Sequence, residues 1–213
     1  MSDPTRICIL DYGMGNLRSV EKALEHVGVA EVAIANDAAT ARDAAGLILP
    51  GVGAFPRAME RIRALGIDEL VAERHQAGVP ILGICLGLQL LFESTSELGG
   101  AAGLALLPGA VAGLDAEGLK VPHIGWSPVT WTRDSRLAEG IDSGTPFYFV
   151  HSFAPRPDAA DLLGTAEYGA RFACAAERGN VFGVQFHPEK SSSAGLRLLA
   201  TFAGVCARTP AAA

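Results

Sequence analysis

The stretch PILGICLGLQLLF, residues 80–92, decides how the rest of the chain is read. PILGIC (80–85) is an unbroken apolar run of strand length, which suits a strand buried on both faces. LGLQLLFES (86–94) has helical spacing. Between them, Gly83-Ile84-Cys85-Leu86-Gly87 matches a cysteine version of the strand–turn–helix nucleophile elbow, G-x-C-x-G in place of G-x-S-x-G. The apex of such a turn sits on strained backbone, so its neighbours must be small, and Gly83 and Gly87 meet that need. The turn also sets Cys85 at a helix N-terminus, where free amides and the macrodipole favour a thiolate. A structural cysteine buried between a strand and a helix would leave the same local trace. Partners for the thiol must separate the two readings.

Outward from this unit, strand and helix alternate. RICIL (6–10), VAIA (32–35) and GLILPG (46–51) read as strands. The turn DYGMGN (11–16) leads into a helix running from Asn16, its expected N-cap, to Gly28, its left-handed stop. Val20, Ala23, Leu24 and Val27 fall on one face of it. Helical stretches follow at 55–65 and 67–77, broken at Gly66. This alternation implies a parallel sheet with right-handed crossovers. Beyond about residue 105, short β-rich runs crowd together at 121–131, 146–153, 162–168, 172–177 and 180–186, so part of the sheet is expected to be antiparallel or mixed. A last helix from Ser192 to Cys206 puts Leu196, Leu199, Ala200 and Ala203 on one face. Residues 208–213 are expected to fray. With no repeat or linker, residues 1–207 read as one α/β domain, with a central mixed, mostly parallel sheet flanked by helices.

Composition narrows the function classes. Of 213 residues, 49% are hydrophobic and 19% charged, too apolar for a disordered chain and ample for one core. A formal charge of -6 without a Lys/Arg cluster argues against a nucleic-acid or anionic-membrane surface. No apolar run is long enough to cross a bilayer, and MSDPTRICIL lacks the pattern of a secretory signal. Cys8, Cys85, Cys174 and Cys206 are scattered with no C-x-x-C pair, which disfavours a disulfide scaffold or a zinc site. A reduced, cytoplasmic protein without metal or cofactor is expected.

A nucleophilic thiol needs a proton-shuttling partner and a group to orient it. Of five histidines, His187 in VFGVQFHPEKS is the candidate. At a strand end, residues i and i+2 point to the same side, so Glu189 can hold the imidazole while His187 faces Cys85. Alone, H-P-E reads equally as a solvated loop; half a chain downstream of a cysteine elbow, it becomes specific. The third need is a pair of donors for an oxyanion. Pro50-Gly51-Val52-Gly53 follows a strand and is expected at the same carboxyl edge as Cys85, the edge where open α/β sheets hold ligands. The backbone amides of Val52 and Leu86 are the candidates, although a plain strand-to-helix turn would look alike.

G-x-C-x-G followed by H-P-E, with P-G-V-G upstream, resembles the class I glutamine amidotransferases. DYGMGNLRSV (11–20), VPHIGW (121–126) and YFVHS (148–152) narrow the resemblance to the glutaminase subunits of imidazole glycerol phosphate synthases. Ser127 departs from that group, which usually carries Asn there. The resemblance implies hydrolysis of the L-glutamine amide through a thioester, with Cys85, His187 and Glu189 as catalytic residues. It implies that Gly51, Gly53, Gln89, Tyr148 and Ser152 bind substrate, with Lys190 either at the edge of the site or simply solvated, and that His151 is structural. It further implies that Tyr12, Asn16, His123 and Trp126 face a partner, the β/α-barrel cyclase subunit, which receives the ammonia. Rival readings are a glutaminase of pyridoxal phosphate, anthranilate or carbamoyl phosphate synthesis, a stand-alone γ-glutamyl hydrolase, and a non-catalytic scaffold.

Overall fold

Expected strands and helices form in chain order in the computed structural model, which describes residues 5–208. β1 (Arg6–Leu10), α1 (Leu17–His26), β2 (Glu31–Ala35), α2 (Ala38–Ala41) and β3 (Gly46–Gly51) come first. α3 (Phe55–Ala64) and α4 (Ile67–Gln76) precede β4 (Ile81–Cys85) and α5 (Leu86–Leu90). Eight strands follow: β5 (Phe92–Thr95), β6 (Ala101–Ala102), β7 (Leu107–Gly113), β8 (His123–Trp131), β9 (Thr145–His151), β10 (Phe153–Pro157), β11 (Leu162–Tyr168), β12 (Ala170–Arg178); β13 (Val181–Val184) and α6 (Ser192–Arg208) close the order. Gly66, at φ +66, separates α3 from α4, and Gly28, at φ +89, follows α1, both as the turn chemistry requires.

The main sheet has nine strands in the order β2-β1-β3-β4-β13-β12-β11-β8-β9. From β2 to β13 the pairings are parallel; from β13 to β9 they are antiparallel. The sheet is therefore mixed as expected, with parallel and antiparallel pairings balanced where a mostly parallel sheet was anticipated. Alternation along β1 shows how the core is divided: Ile7 and Ile9 join α1 and α6 on one face, while Cys8 and Leu10 join α3, α4 and α5 on the other. Helices thus cover both faces, the arrangement that buried parallel strands need.

A second sheet, β10-β7-β5-β6, was not anticipated. It accounts for one correction. The helix expected over 86–94 stops at Leu90, and Phe92–Thr95 becomes a strand paired with β7. Residues 86–92 are all buried, so apolar spacing carries no directional information, and a pairing fifteen or so residues away decides the outcome. Three further expectations change. Asn16 occupies the N-cap of α1, but its side chain makes no capping bond. The buried face of α6 carries Leu198, Leu199, Phe202, Val205 and Cys206, while Ala200 is exposed. The helix turns Phe202, Leu198 and Leu199 to the sheet, large apolar side chains that gain most from burial. α6 extends to Arg208, so the fraying expected from 208 does not begin there; residues 209–213 lie outside the described ones.

Candidate active site

β4 ends on Cys85 with φ 56 and ψ −111, a conformation that L-residues rarely adopt. The flanking glycines make it feasible. A Cβ on Gly87 would run into the Leu49 carbonyl of β3, and one on Gly83 would lie 2.7 Å from the Gly87 backbone. Cys85 is 6% exposed, and its sulfur lies 3.8 Å from the Val150 carbonyl. The other three cysteines differ. Burial pushes the Cys8 thiol up to about 11 and the Cys206 thiol to about 12, and raises Cys174 further, so all three are held protonated as core residues.

β13 runs parallel to β4, aligning Gly183 with Gly83 and Val184 with Ile84. The chain then leaves the sheet through Gln185 and Phe186 and turns at Pro188–Lys190, which sets His187 beside the elbow. Nδ1 of His187 lies 2.8 Å from Oε1 of Glu189, and both side chains are almost fully buried. Nε2 is buried and has no hydrogen-bond partner among the described residues, and Cys85 is among the groups that raise the pKa of this ring. Burial is the largest influence on this imidazole and disfavours its cation, but the combined pull of Cys85 and Glu189 prevails and raises its pKa to about 9. The backbone is pinned as well: the His187 amide donates to the Tyr148 carbonyl, and Ser191 Oγ donates to the His187 carbonyl while accepting from the Tyr148 amide. Ser191 was not singled out in the sequence, because a serine after H-P-E-K carries no signal of a cross-link to β9.

The loop after β3 stands next to the elbow, since Gly51 pairs in register with Cys85. A cavity of about 290 Å3 opens here, lined by Val52, Gly53, Cys85, Leu86, Gln89, Glu97 and, from the 150–153 segment, Val150, His151, Ser152 and Phe153. The two oxyanion candidates, Val52 and Leu86, therefore share a wall with the thiol. Gly53, at φ +105, holds a backbone conformation that side-chain-bearing residues rarely adopt. Of the residues expected to bind substrate, Gly53, Gln89 and Ser152 line the cavity. Gly51 lies beneath it, where a side chain would collide with the Tyr12 hydroxyl, and Tyr148 points elsewhere, in an edge-on contact with Trp126 and under the Lys190 ammonium at 5.9 Å.

Four residues were expected at a partner surface, and they divide evenly. Asn16 is exposed and Trp126 is 51% exposed. Tyr12 is buried, donating to the Pro50 carbonyl at 2.7 Å as a prop under the 50–53 loop, and burial holds its phenol well above the usual range. His123 is buried between Tyr168 and Phe149, with both ring nitrogens bonded inside the protein. Neither can touch a partner in this conformation, because the glycine-rich and aromatic motifs that carry them also supply core. Glu97 and Gln185 are the site residues the sequence did not reveal. Glu97 comes from the short turn after β5, a segment for which the sequence set no expectation; its Oε2 accepts from the Phe55 amide at the start of α3. Gln185 is fully buried and donates toward the Cys85 sulfur at 3.7 Å. Among the described residues no cluster of His, Cys, Asp and Glu is placed to hold a metal ion, and no helix is long and apolar enough to cross a membrane.

Comparison with known proteins agrees with this geometry. The family description "Glutamine amidotransferase class-I" matches residues 8–204. The chain is 52% identical over 197 residues to the imidazole glycerol phosphate synthase subunit HisH of Moorella thermoacetica, covering 92% of this chain and 93% of that one. It is 47% identical to the HisH subunit of Aquifex aeolicus, covering 92% and 95%. Among solved structures, PurLQS from Thermotoga maritima contains a chain that superposes with a TM-score of 0.73 over 95% of this chain and 99% of that one. At 21% identity, that likeness concerns the fold alone. The chain belongs to the class-I glutamine amidotransferases, in the HisH group of that family.

Proposed function

We propose that this chain is the glutaminase subunit of an imidazole glycerol phosphate synthase, hydrolysing L-glutamine to glutamate and ammonia and passing the ammonia to a cyclase subunit. One observation carries the reading: Cys85, on a strained elbow in a cavity wall, faces an imidazole whose far nitrogen is tied to a buried carboxylate.

The chemistry follows from the placement. Glutamine enters with its carboxamide over Cys85. The thiolate attacks the amide carbon, and the oxygen takes up negative charge against the Leu86 and Val52 amides; one such donor is worth about 2.7–4 kcal/mol of barrier. His187, held as a cation by Cys85 and Glu189, gives its proton to the departing ammonia, leaving a thioester. The now neutral imidazole takes a proton from water, whose oxygen attacks the thioester carbon; the C–S bond breaks and glutamate leaves. Glu189 keeps Nδ1 protonated throughout, so Nε2 is always the working nitrogen. Glu97 is the one acid lining the cavity among the described residues and suits the α-ammonium of an amino-acid substrate.

Ammonia protonates in water at neutral pH, so a partner that receives it directly is chemically sensible. Around Trp126, Ile124 is 57% and Val121 45% exposed, an apolar strip fit for such a contact. The test is synthesis by the two-subunit complex. Cys85→Ala is expected to abolish glutamine-dependent synthesis and to leave synthesis from added ammonia intact. Equal loss of both activities would reject the division of labour.

A further inference from the structure

The reaction as drawn gives no role to several buried polar side chains. These are His123, His151, Gln185 and Ser127. Their hydrogen bonds join end to end. Ser127 Oγ lies 3.0 Å from His123 Nε2, His123 Nδ1 lies 3.1 Å from His151 Nε2, and His151 Nδ1 lies 2.9 Å from the Phe153 carbonyl. The same carbonyl accepts from Gln89 Nε2 at 3.0 Å, and Gln89 Nε2 also donates to Gln185 Oε1 at 3.0 Å. Gln185 Nε2 then reaches the Cys85 sulfur.

The direction of every bond is fixed by its acceptors. A carbonyl oxygen only accepts, so His151 must carry its proton on Nδ1. Neutral His151 then offers Nε2 as an acceptor, His123 must donate from Nδ1, and Ser127 must donate to His123 Nε2. With both rings neutral this arrangement is the consistent one; charging either ring would reverse the bond to Ser127, and the burial of both rings disfavours that charge. On the other arm, both amide protons of Gln89 are used, so Gln185 must turn its oxygen to Gln89 and its nitrogen to the sulfur. Reversing either amide would break two bonds at once.

We propose that this chain is a positioning device for the nucleophile, in which Gln185 supplies a hydrogen-bond donor to the Cys85 thiolate and the Ser127–His123–His151 arm holds the Phe153 carbonyl that orients Gln89 and, through it, Gln185. The inference rests on the glutaminase reading for its purpose, though not for its geometry. Sulfur bears the negative charge before attack and loses it in the thioester, so the Gln185 donor acts on the ground state of the free site and on its readiness to attack. Ser127 is the origin of the arm, and an Asn in its place would retain a donor there.

The experiment uses the full-length chain and a small alkylating probe, iodoacetamide, whose rate reports thiolate reactivity at Cys85 without any substrate. Gln185→Glu keeps an acceptor for Gln89 but removes the donor to sulfur; alkylation is expected to slow about tenfold, the worth of a hydrogen bond to a charged group. Gln185→Met, which removes both bonds, should slow it at least as much. Ser127→Ala should slow it about twofold to threefold, and Ser127→Asn should restore it. Imidazole nitrogen NMR at neutral pH should show His123 and His151 as neutral Nδ1–H tautomers in the wild type. Unchanged alkylation in Gln185→Glu, or an Nε2–H or charged form at either histidine, would overturn the proposal. Glutamine turnover measured alongside separates the two claims. Slowed alkylation in a wild-type complex that does not hydrolyse glutamine would sink the glutaminase reading alone; normal alkylation in a variant of an active complex would sink the positioning chain alone.

Discussion

Two histidine neighbourhoods meet at this cavity, and they treat charge in opposite ways. His187 sits between a thiol and a carboxylate, and its pKa is raised to about 9 despite burial. His151 also sits in the wall, but its neighbours are a carbonyl, another imidazole and the Phe149 and Phe172 rings; burial drives its pKa down to about 4. Both rings are deeply buried, so burial alone does not decide the outcome. The partners do: an acidic neighbour on each side makes a proton carrier, and a chain of neutral acceptors and donors makes a fixed strut. His151, read from the sequence as structural, sits in a setting that fits that role, and the two rings together show why H-P-E can be read and a lone histidine cannot.

The sharpest way to break this contrast is to remove the carboxylate. Glu189→Gln preserves shape and one hydrogen bond to Nδ1 but removes the negative charge. The imidazole should lose much of its raised pKa and its fixed tautomer, and glutamine-dependent kcat in the complex should fall roughly 10²–10⁴-fold, the range of a disabled general acid–base. Ammonia-dependent synthesis should be unaffected. A loss below about threefold would mean that Cys85 alone holds the imidazolium.

Legibility in the sequence followed the same division. The elbow could be read because its demands are local: Gly83 and Gly87 are forced by Leu49 and by the turn itself, all within one strand–turn–helix unit. H-P-E could be read because its two functional side chains are two residues apart. The parallel strands announced themselves as continuous apolar runs. What stayed hidden depended on distant pairing. β5 is a strand only because β7 lies beside it; Glu97 reaches the cavity from the short turn beyond β5; Gln185 meets Gln89 across 96 residues; Ser191 meets Tyr148 across 43. Tyr12 and His123 were mistaken for partner contacts because a motif identifies a segment and not which way each side chain faces. Only the packing of Pro50 above Tyr12, and of Tyr168 and Phe149 around His123, settles that.

The contrast also has a sign in stability. His151 has a folded pKa below its ordinary 6.5, so the folded state takes up its proton later than the unfolded chain does. Its contribution is fully present above pH 6.5 and is lost as pH falls toward 4, about 3 kcal/mol over that window. His187 has the opposite sign: its contribution is full below 6.5 and fades as pH rises through about 9. Denaturant unfolding at pH 7 and pH 4.5 should therefore show a marked acid loss in the wild type and a shallower one in His151→Gln, whose side chain can still donate but cannot take up charge. The two proteins losing stability in parallel would show that His151 is not the group being titrated.

The smallest expected effect concerns a charge that does belong in the cavity wall. Glu97 shares the lining with His151, yet it is only partly buried and one of its oxygens is engaged by the Phe55 amide. Glu97→Gln retains an oxygen for that amide, so α3 keeps its N-terminal bond and the fold should be unaffected. What disappears is attraction for a cation at the rim. If the α-ammonium of glutamine binds there, KM should rise about tenfold, the worth of one charge-assisted hydrogen bond, while kcat at saturation stays within about twofold of the wild type. A fall in kcat with KM unchanged would place Glu97 with His187 among the groups that act on the reacting atoms, and the division between a charged catalytic side and a neutral positioning wall would have to be redrawn.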